Sequence, residues 1–244
     1  MPSWHAFYLI GAMTAYFLLR FLAVKNLSQR EQGRLSGLYV AAYLGGYFGA
    51  RILSIFIEQT PNSVGEFFDL LTQLGPMTFY GGAIGAFLFG GAFILHHSLP
   101  FGRILDIAIL SGLGALAIGR IGCFLNGDDY GIVVSDPSVF WAVKFPNLEE
   151  DVARVPVQLL STFVVGLYVL FVVNYFSRIR RRLGDGGVGI FSIAFYALYR
   201  FFAEFLRGDP RGSVGVFSTS QLISVLVLLV IVGVTYVRKI RQPS

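Results

Sequence analysis

Residues 103–125 read RILDIAILSGLGALAIGRIGCFL, an apolar run long enough to cross a bilayer and interrupted near its end by Arg120. About 20 helical residues span about 30 Å of hydrocarbon. A guanidinium within such a run costs roughly 2.5–3.5 kcal/mol even on a lenient insertion scale, and its default reading is a functional site. Six further runs have the same character, near residues 4–24, 35–57, 76–96, 156–176, 187–206 and 220–238. Three of these also carry an arginine within the run and not at its very end: Arg20, Arg51 and Arg200. Of the 244 residues 55% are hydrophobic and 14% charged, with mean hydropathy +0.68. Soluble domains carry about 25% charged residues. The expected fold is all-α, a polytopic membrane protein of about seven transmembrane helices in a single domain over residues 1–244.

Loop charges orient the helices. Lys25, Arg30, Arg34, Arg103, Arg178, Arg180, Arg181, Arg182, Arg238, Lys239 and Arg241 fall on one side, eleven basic residues in all. The other side holds Lys144, Arg154, Arg207 and Arg211. The positive-inside rule then puts the N-terminus outside and the C-terminus in the cytoplasm. Arg178 to Arg182 serve first as a topology determinant and second as an anionic-lipid contact. His96 and His97 mark the cytoplasmic interface. The net charge of +5 sits in these short loops, so it is no nucleic-acid footprint. No basic residue precedes the first apolar run, which is long enough to span, so it reads as a helix and not as a signal peptide. A lone cysteine, Cys123, rules out an intrachain disulfide.

With this orientation Arg51, Arg120 and Arg200 lie within about two turns of the outer end of their helices, at about 1.5 Å per residue. Arg20 lies near the opposite face and can snorkel to water. His5, Tyr80 and Gln158 also fall near the outer surface, so polar chemistry gathers in the outer leaflet. Small residues at Gly45-x-x-x-Gly49, Gly81-x-x-x-Gly85 and Ser111-x-x-x-Ala115-x-x-x-Gly119 read as helix-packing seams. Segment 63–74 opens on a Ser63-x-x-Glu66 capping box, and Val64, Phe67, Phe68, Leu71 and Leu74 share one face. It reads as a short helix lying in the interface. Residues 126–155 form the longest extramembrane segment, an external loop.

Converging arginines suit an anionic group such as a lipid phosphate. Around Arg120 the chain reads Gly119-Arg120-Ile121-Gly122-Cys123-Phe124-Leu125-Asn126-Gly127-Asp128-Asp129, an arginine followed within two turns by an amide and two carboxylates. A second cluster runs from Tyr196 through Arg200 and Glu204 to Arg207. Arg200 and Glu204 are spaced i, i+4, so the carboxylate can orient the guanidinium. The plainer alternative for Arg120 and Arg200 is a structural ion pair with Asp128 or Glu204. Asp128 and Asp129 alone do not make a cation site, and no metal is expected.

These stretches resemble the prolipoprotein diacylglyceryl transferase family. The first is similar to its Gly-Arg-x-Gly-Asn-Phe-x-x-Gly-Glu signature, the second to its Tyr-x-x-x-Arg-Phe-x-x-Glu-Phe pattern. Pro76-Met77-Thr78-Phe79-Tyr80-Gly81-Gly82 resembles the Met-Ser-Phe-His-Gly-Gly segment, and Pro156-Val157-Gln158-Leu159 its Pro-x-Gln-Leu. The resemblance implies a cofactor-free enzyme of the bacterial plasma membrane, multi-pass, with its site facing the outer leaflet. It would move diacylglyceryl from phosphatidylglycerol to the lipobox cysteine of a prolipoprotein signal peptide and release glycerol phosphate. Its partners would be those substrates and membrane lipids, with no nucleic acid and no soluble protein. Arg120, Arg200 and Tyr80 would be catalytic. Arg51, Asn126, Asp128, Gln158, Tyr196 and Glu204 would join Arg120 in binding substrate. Tyr80 stands where the family has histidine, Cys123 where it has asparagine and Asp128 where it has glutamate, while Arg51 is displaced within its Gly-Gly motif. His5 is an alternative base. The rival reading is a non-catalytic phospholipid-binding or lipid-handling paralogue.

Overall fold

The computed structural model describes residues 2–73, 75, 77–136, 139–146, 148, 152–210 and 212–241, without the side chains of 2–5, 213–214 and 237–241. Eight α-helices dominate: α1 Pro2–Asn26, α2 Gln29–Ser54, α3 Val64–Thr72, α4 Phe79–His96, α5 Phe101–Asn126, α6 Val157–Leu183, α7 Gly187–Ala203 and α8 Thr219–Arg241. Seven of them, all but α3, are long and apolar enough to cross a membrane. Two short hairpins, β1 Val143–Lys144 with β2 Ala153–Arg154 and β3 Ser213–Val214 with β4 Phe217–Ser218, lie in the connections.

The helices outrun their apolar cores where basic residues extend them. Arg178, Arg180, Arg181 and Arg182, expected in a loop, form the last turns of α6, which ends only at Gly184 with φ +75°. Arginine is a good helix former, and glycine tolerates the left-handed cap. Likewise Arg30 and Arg34 belong to α2, which starts at a capping box: Ser28 accepts from Glu31 N–H, and the Glu31 carboxylate accepts from Ser28 N–H at 2.6 Å.

The chain divides into two compact units, one of residues 1–22 and 102–244, the other of residues 23–101. In the second, α2 packs on α4 along the two glycine motifs read from the sequence. A Cβ built on Gly45 or Gly49 would collide with the carbonyl oxygen of Gly85 or Gly81, so the backbones touch where side chains would normally intervene. The interfacial segment forms α3, capped by Ser63, which accepts from Glu66 N–H at 3.1 Å. The Glu66 carboxylate reaches back to Asn62 N–H at 2.8 Å, one residue beyond the expected box. None of the α3 side chains is buried, and Leu74 lies outside the described residues.

In the first unit, the buried faces of α5 and α6 supply Ile104, Ile107, Leu110, Val165 and Val172. Tyr168 of α6 stacks on Phe195 of α7 at 3.7 Å and donates to Ser192 Oγ at 2.9 Å. Of the expected Ser111–Ala115–Gly119 seam, Ala115 meets Gly11 of α1, whereas Gly119 faces open space. Asp106, fully buried on α5, accepts from the Gly186 and Gly189 amides at 2.9 and 2.8 Å and so caps the N-terminus of α7.

Candidate active site

The end of α5, the start of α6 and the end of α7 are tied together by one extended segment. After Asn126 the chain turns through Gly127 (φ +76°) and Asp129 (φ +60°), and aspartate is among the few non-glycine residues that enter this region readily. Residues 130–132 then run between two neighbours. Gly131 N–H donates to Val155 O and Val155 N–H to Ile132 O, at 3.1 and 3.0 Å. On the other edge Ile132 N–H donates to Leu206 O at 2.9 Å, and Gly208 N–H to Tyr130 O at 3.0 Å. A Cβ on Gly131 would strike Val155 O, and one on Gly208 would strike Gly131 O. Only glycine permits this approach, and it is what brings Arg120, Asp129, Arg154 and Arg207 to one place.

Asp129 sits between two arginines. Its Oδ2 accepts from Arg120 Nη1 and its Oδ1 from Arg207 Nη2. The Arg207 side chain is only 3% exposed and is held a second time by Asp209, with Nε and Nη2 donating at 3.0 and 2.9 Å. Burial pushes the Asp129 carboxyl up, but the two guanidiniums outweigh it and hold the group below the usual carboxylate range. Asp209 is pushed above that range by burial, although Arg207 partly offsets it. Arg154, also buried, lies over the Tyr130 ring at 4.5 Å and donates to Gly131 O at 3.4 Å.

Several of the residues expected from the sequence lie in the same unit as this network. Tyr196 neighbours the Arg120 guanidinium, and Tyr199, bonded to Ser161 at 2.7 Å, lies within electrostatic range of both Arg120 and Arg200. Arg200 pairs with Glu204 at 3.1 Å, as the i, i+4 spacing suggested, and donates to Ser220 Oγ at 3.1 Å. Asn126 donates to the Asp128 carboxylate at 2.5 Å. Gln158 is 1% exposed; its Nε2 donates to Asp128 O at 2.6 Å, while its Oε1 finds no hydrogen-bond donor among the described residues. A buried acceptor without a donor is costly, so this one suits a ligand hydroxyl. Cys123, on α5 between Arg120 and Asn126, is half-buried.

Two candidates belong to the other unit. Arg51 is 1% exposed, donates from Nη2 to Leu70 O and packs its guanidinium on Gly75, where a Cβ would collide with it. Tyr80 lies in the first turn of α4, next to the Thr78 N–H to Ala50 O bond of 3.2 Å. Pro76 of its motif and the His5 side chain lie outside the description. Among the described residues no group of His, Cys, Asp and Glu is placed to hold a metal ion.

Sequence reasoning missed Asp129, Arg154 and Arg207 as members of this network. Asp129 and Arg207 are 78 residues apart, and no local spacing announces their pairing. The Arg207-x-Asp209 spacing was the one usable hint.

The family model for prolipoprotein diacylglyceryl transferase matches residues 3–237. A phosphatidylglycerol–prolipoprotein diacylglyceryl transferase of Clostridium tetani is 26% identical over 95% of this chain and 93% of its own length. The proteins of that name from Vibrio atlanticus and Vibrio campbellii are 32% and 31% identical, covering 93% and 89% of this chain and 82% and 79% of theirs.

Proposed function

We propose that this chain, which belongs to the prolipoprotein diacylglyceryl transferase family, transfers diacylglyceryl from phosphatidylglycerol to the lipobox cysteine of an exported lipoprotein precursor. The cysteine sulfur attacks the glyceryl carbon, the carbon–oxygen bond to phosphate breaks, and a thioether forms as glycerol phosphate leaves. The thiol proton is lost to a base or to solvent. The observation that carries this reading is the half-buried Arg120, held by Asp129 opposite Arg207 and beside Tyr196.

A guanidinium has five N–H donors in a fixed fork, and Asp129 engages Arg120 through one nitrogen, so donors remain for a phosphate. Negative charge grows on the leaving phosphate, and fixed charges stabilise it most where water is scarce. Arg120 and Arg200 take this role. Glu204 and Asp129 hold Arg200 and Arg120 in place. Gln158 Oε1 accepts from a headgroup hydroxyl, with Asn126, Asp128 and Tyr196 around it. The loop charges support a site facing the outer leaflet of the bacterial plasma membrane.

Tyr80 stands where the family has its histidine and is the candidate to assist the thiol. With a pKa near 10, tyrosine is a poor base at neutral pH, whereas a thiol near 8.5 beside arginines ionises with little help. His5 remains the alternative base.

Purified protein incubated with phosphatidylglycerol and a lipobox peptide should add one diacylglyceryl mass to the peptide. Tight binding of phosphatidylglycerol without any transfer between pH 6 and 9 would overturn the enzymatic reading in favour of a lipid-binding paralogue.

A further inference from the structure

The second unit contains a cleft that the transfer chemistry does not use. It has a volume of about 470 Å³ and opens between the first turns of α2 and the end of α4, lined by Ser28, Arg30, Glu31, Arg34, His96 and His97. Four of these six side chains are basic. Arg30 and Arg34 are i, i+4 neighbours on one helix face, where like charges repel. They also occupy the N-terminal end of a 26-residue helix, whose dipole favours negative charge. Among the described residues the ion pairs formed by Arg103, Arg120, Arg180, Arg200 and Arg207 include neither Arg30 nor Arg34. The one carboxylate in the cleft, Glu31, is turned back on the Ser28 amide. Burial and then the positive fields of Arg34 and His96 hold the His97 imidazole below its usual pKa. Phe93 supports that ring at 4.2 Å and His96 at 4.8 Å.

Positive-inside topology accounts for basic residues near this turn. It does not account for two arginines and two histidines converging on one cleft with the helix dipole against them. A bound anion relieves all three repulsions at once. We propose that this cleft binds a phosphate ester at the membrane face marked by the basic loops. Arg30 and Arg34 would grip its oxygens in forked pairs, while His96, His97 and the Ser28 hydroxyl donate around them. Basic pockets between membrane helices on the cytoplasmic side suit lipid phosphates, and the volume falls within the 300–1,000 Å³ usual for small-ligand sites. The phosphate could belong to an anionic lipid of that leaflet or to a soluble ester such as glycerol phosphate.

Hydrogen–deuterium exchange of the full chain in nanodiscs reads the site directly, because a ligand slows local opening in proportion to its saturation. Amides near residues 28–31 and 97–99 should exchange about tenfold more slowly with ligand at about ten times its Kd. Protection in phosphatidylglycerol discs but not phosphatidylcholine discs identifies the lipid headgroup. Protection on adding glycerol phosphate to phosphatidylcholine discs identifies the soluble ester. In the Arg30→Gln/Arg34→Gln variant either protection should vanish, with exchange over α5 unchanged as the sign of an intact fold. The His97→Gln variant, which keeps both arginines, should lose about half of the effect and serves if the double variant does not fold. Equal exchange in all conditions, or protection that persists in the variants, would overturn the proposal. Diacylglyceryl transfer by the double variant should stay within about twofold of wild type, so the two readings fail separately.

Discussion

Asp129 and Asp185 are each gripped by two arginines, at different ends of the same unit's helices, yet burial separates them. The Asp129 partners, Arg120 and Arg207, are 16% and 3% exposed. Asp185, 46% exposed against 34% for Asp129, binds Arg103 and Arg180 at 2.9 and 2.8 Å, and these partners are 40% and 20% exposed. An exposed pair of this kind contributes about 0–1 kcal/mol and is screened by salt. A buried arginine that loses its carboxylate keeps an uncompensated charge, which is why removing one partner is so much worse. The same three-residue arrangement is thus a surface clasp at one end and a fixed, pre-oriented guanidinium at the other. Only the second can act on a developing phosphate charge.

That difference orders the expected effects of substitution. Arg120→Lys should lower transfer by about 10²–10³-fold, since a point ammonium cannot replace a bidentate fork on phosphate. Near wild-type transfer, measured by peptide mass, would reduce Arg120 to a structural ion pair. Asp129→Asn should cost roughly tenfold to a hundredfold, because Arg120 keeps its charge but loses its orientation; an unchanged rate would show that the pairing is incidental. Tyr80→Phe should change the rate by less than about threefold if the arginine field alone ionises the thiol. His5→Ala should then leave a profile still rising toward about pH 8.5, whereas loss of a limb near pH 6.5 would identify His5 as the base. Asp185→Asn should be the mildest, shifting stability by at most about 1 kcal/mol, and 1 M salt should erase the difference.

Acid sharpens the comparison. Asp129 is held down by Arg120 and Arg207 against its burial, and Asp185 by hydrogen bonds from Arg103 and Arg180. A depressed carboxylate contributes stability above its unfolded pKa of about 3.9 and loses it as the pH falls through the folded value. Neither group should therefore impose any pH dependence between about pH 5 and 9. A limb of the rate profile inside that window must come from the thiol, from a separate base or from Asp209, whose carboxyl burial pushes up.

Much of the architecture was written locally. The spacing of small residues in Gly45–Gly49 and Gly81–Gly85 marked the packing seams that α2 and α4 share, and Ser63 announced the start of α3, whereas the Ser28 cap of α2 lay in what read as a loop. Hydropathy misplaced the ends of α2 and α6, because it treats an arginine as a loop residue where helix propensity keeps it helical. The i, i+4 pair Arg200–Glu204 was likewise legible. The grip of Asp129 on Arg120 and Arg207 was not, since it depends on Gly131 and Gly208 letting two distant connections touch. Linear spacing carries no trace of a contact made by the absence of side chains.

The most direct test of arginine-assisted transfer is to count both products in one reaction. Wild-type protein with phosphatidylglycerol and a lipobox peptide should release one glycerol phosphate for each thiol modified, and Arg120→Lys should slow both by the same factor. Glycerol phosphate released without peptide modification, or equal rates for the two proteins, would contradict the account.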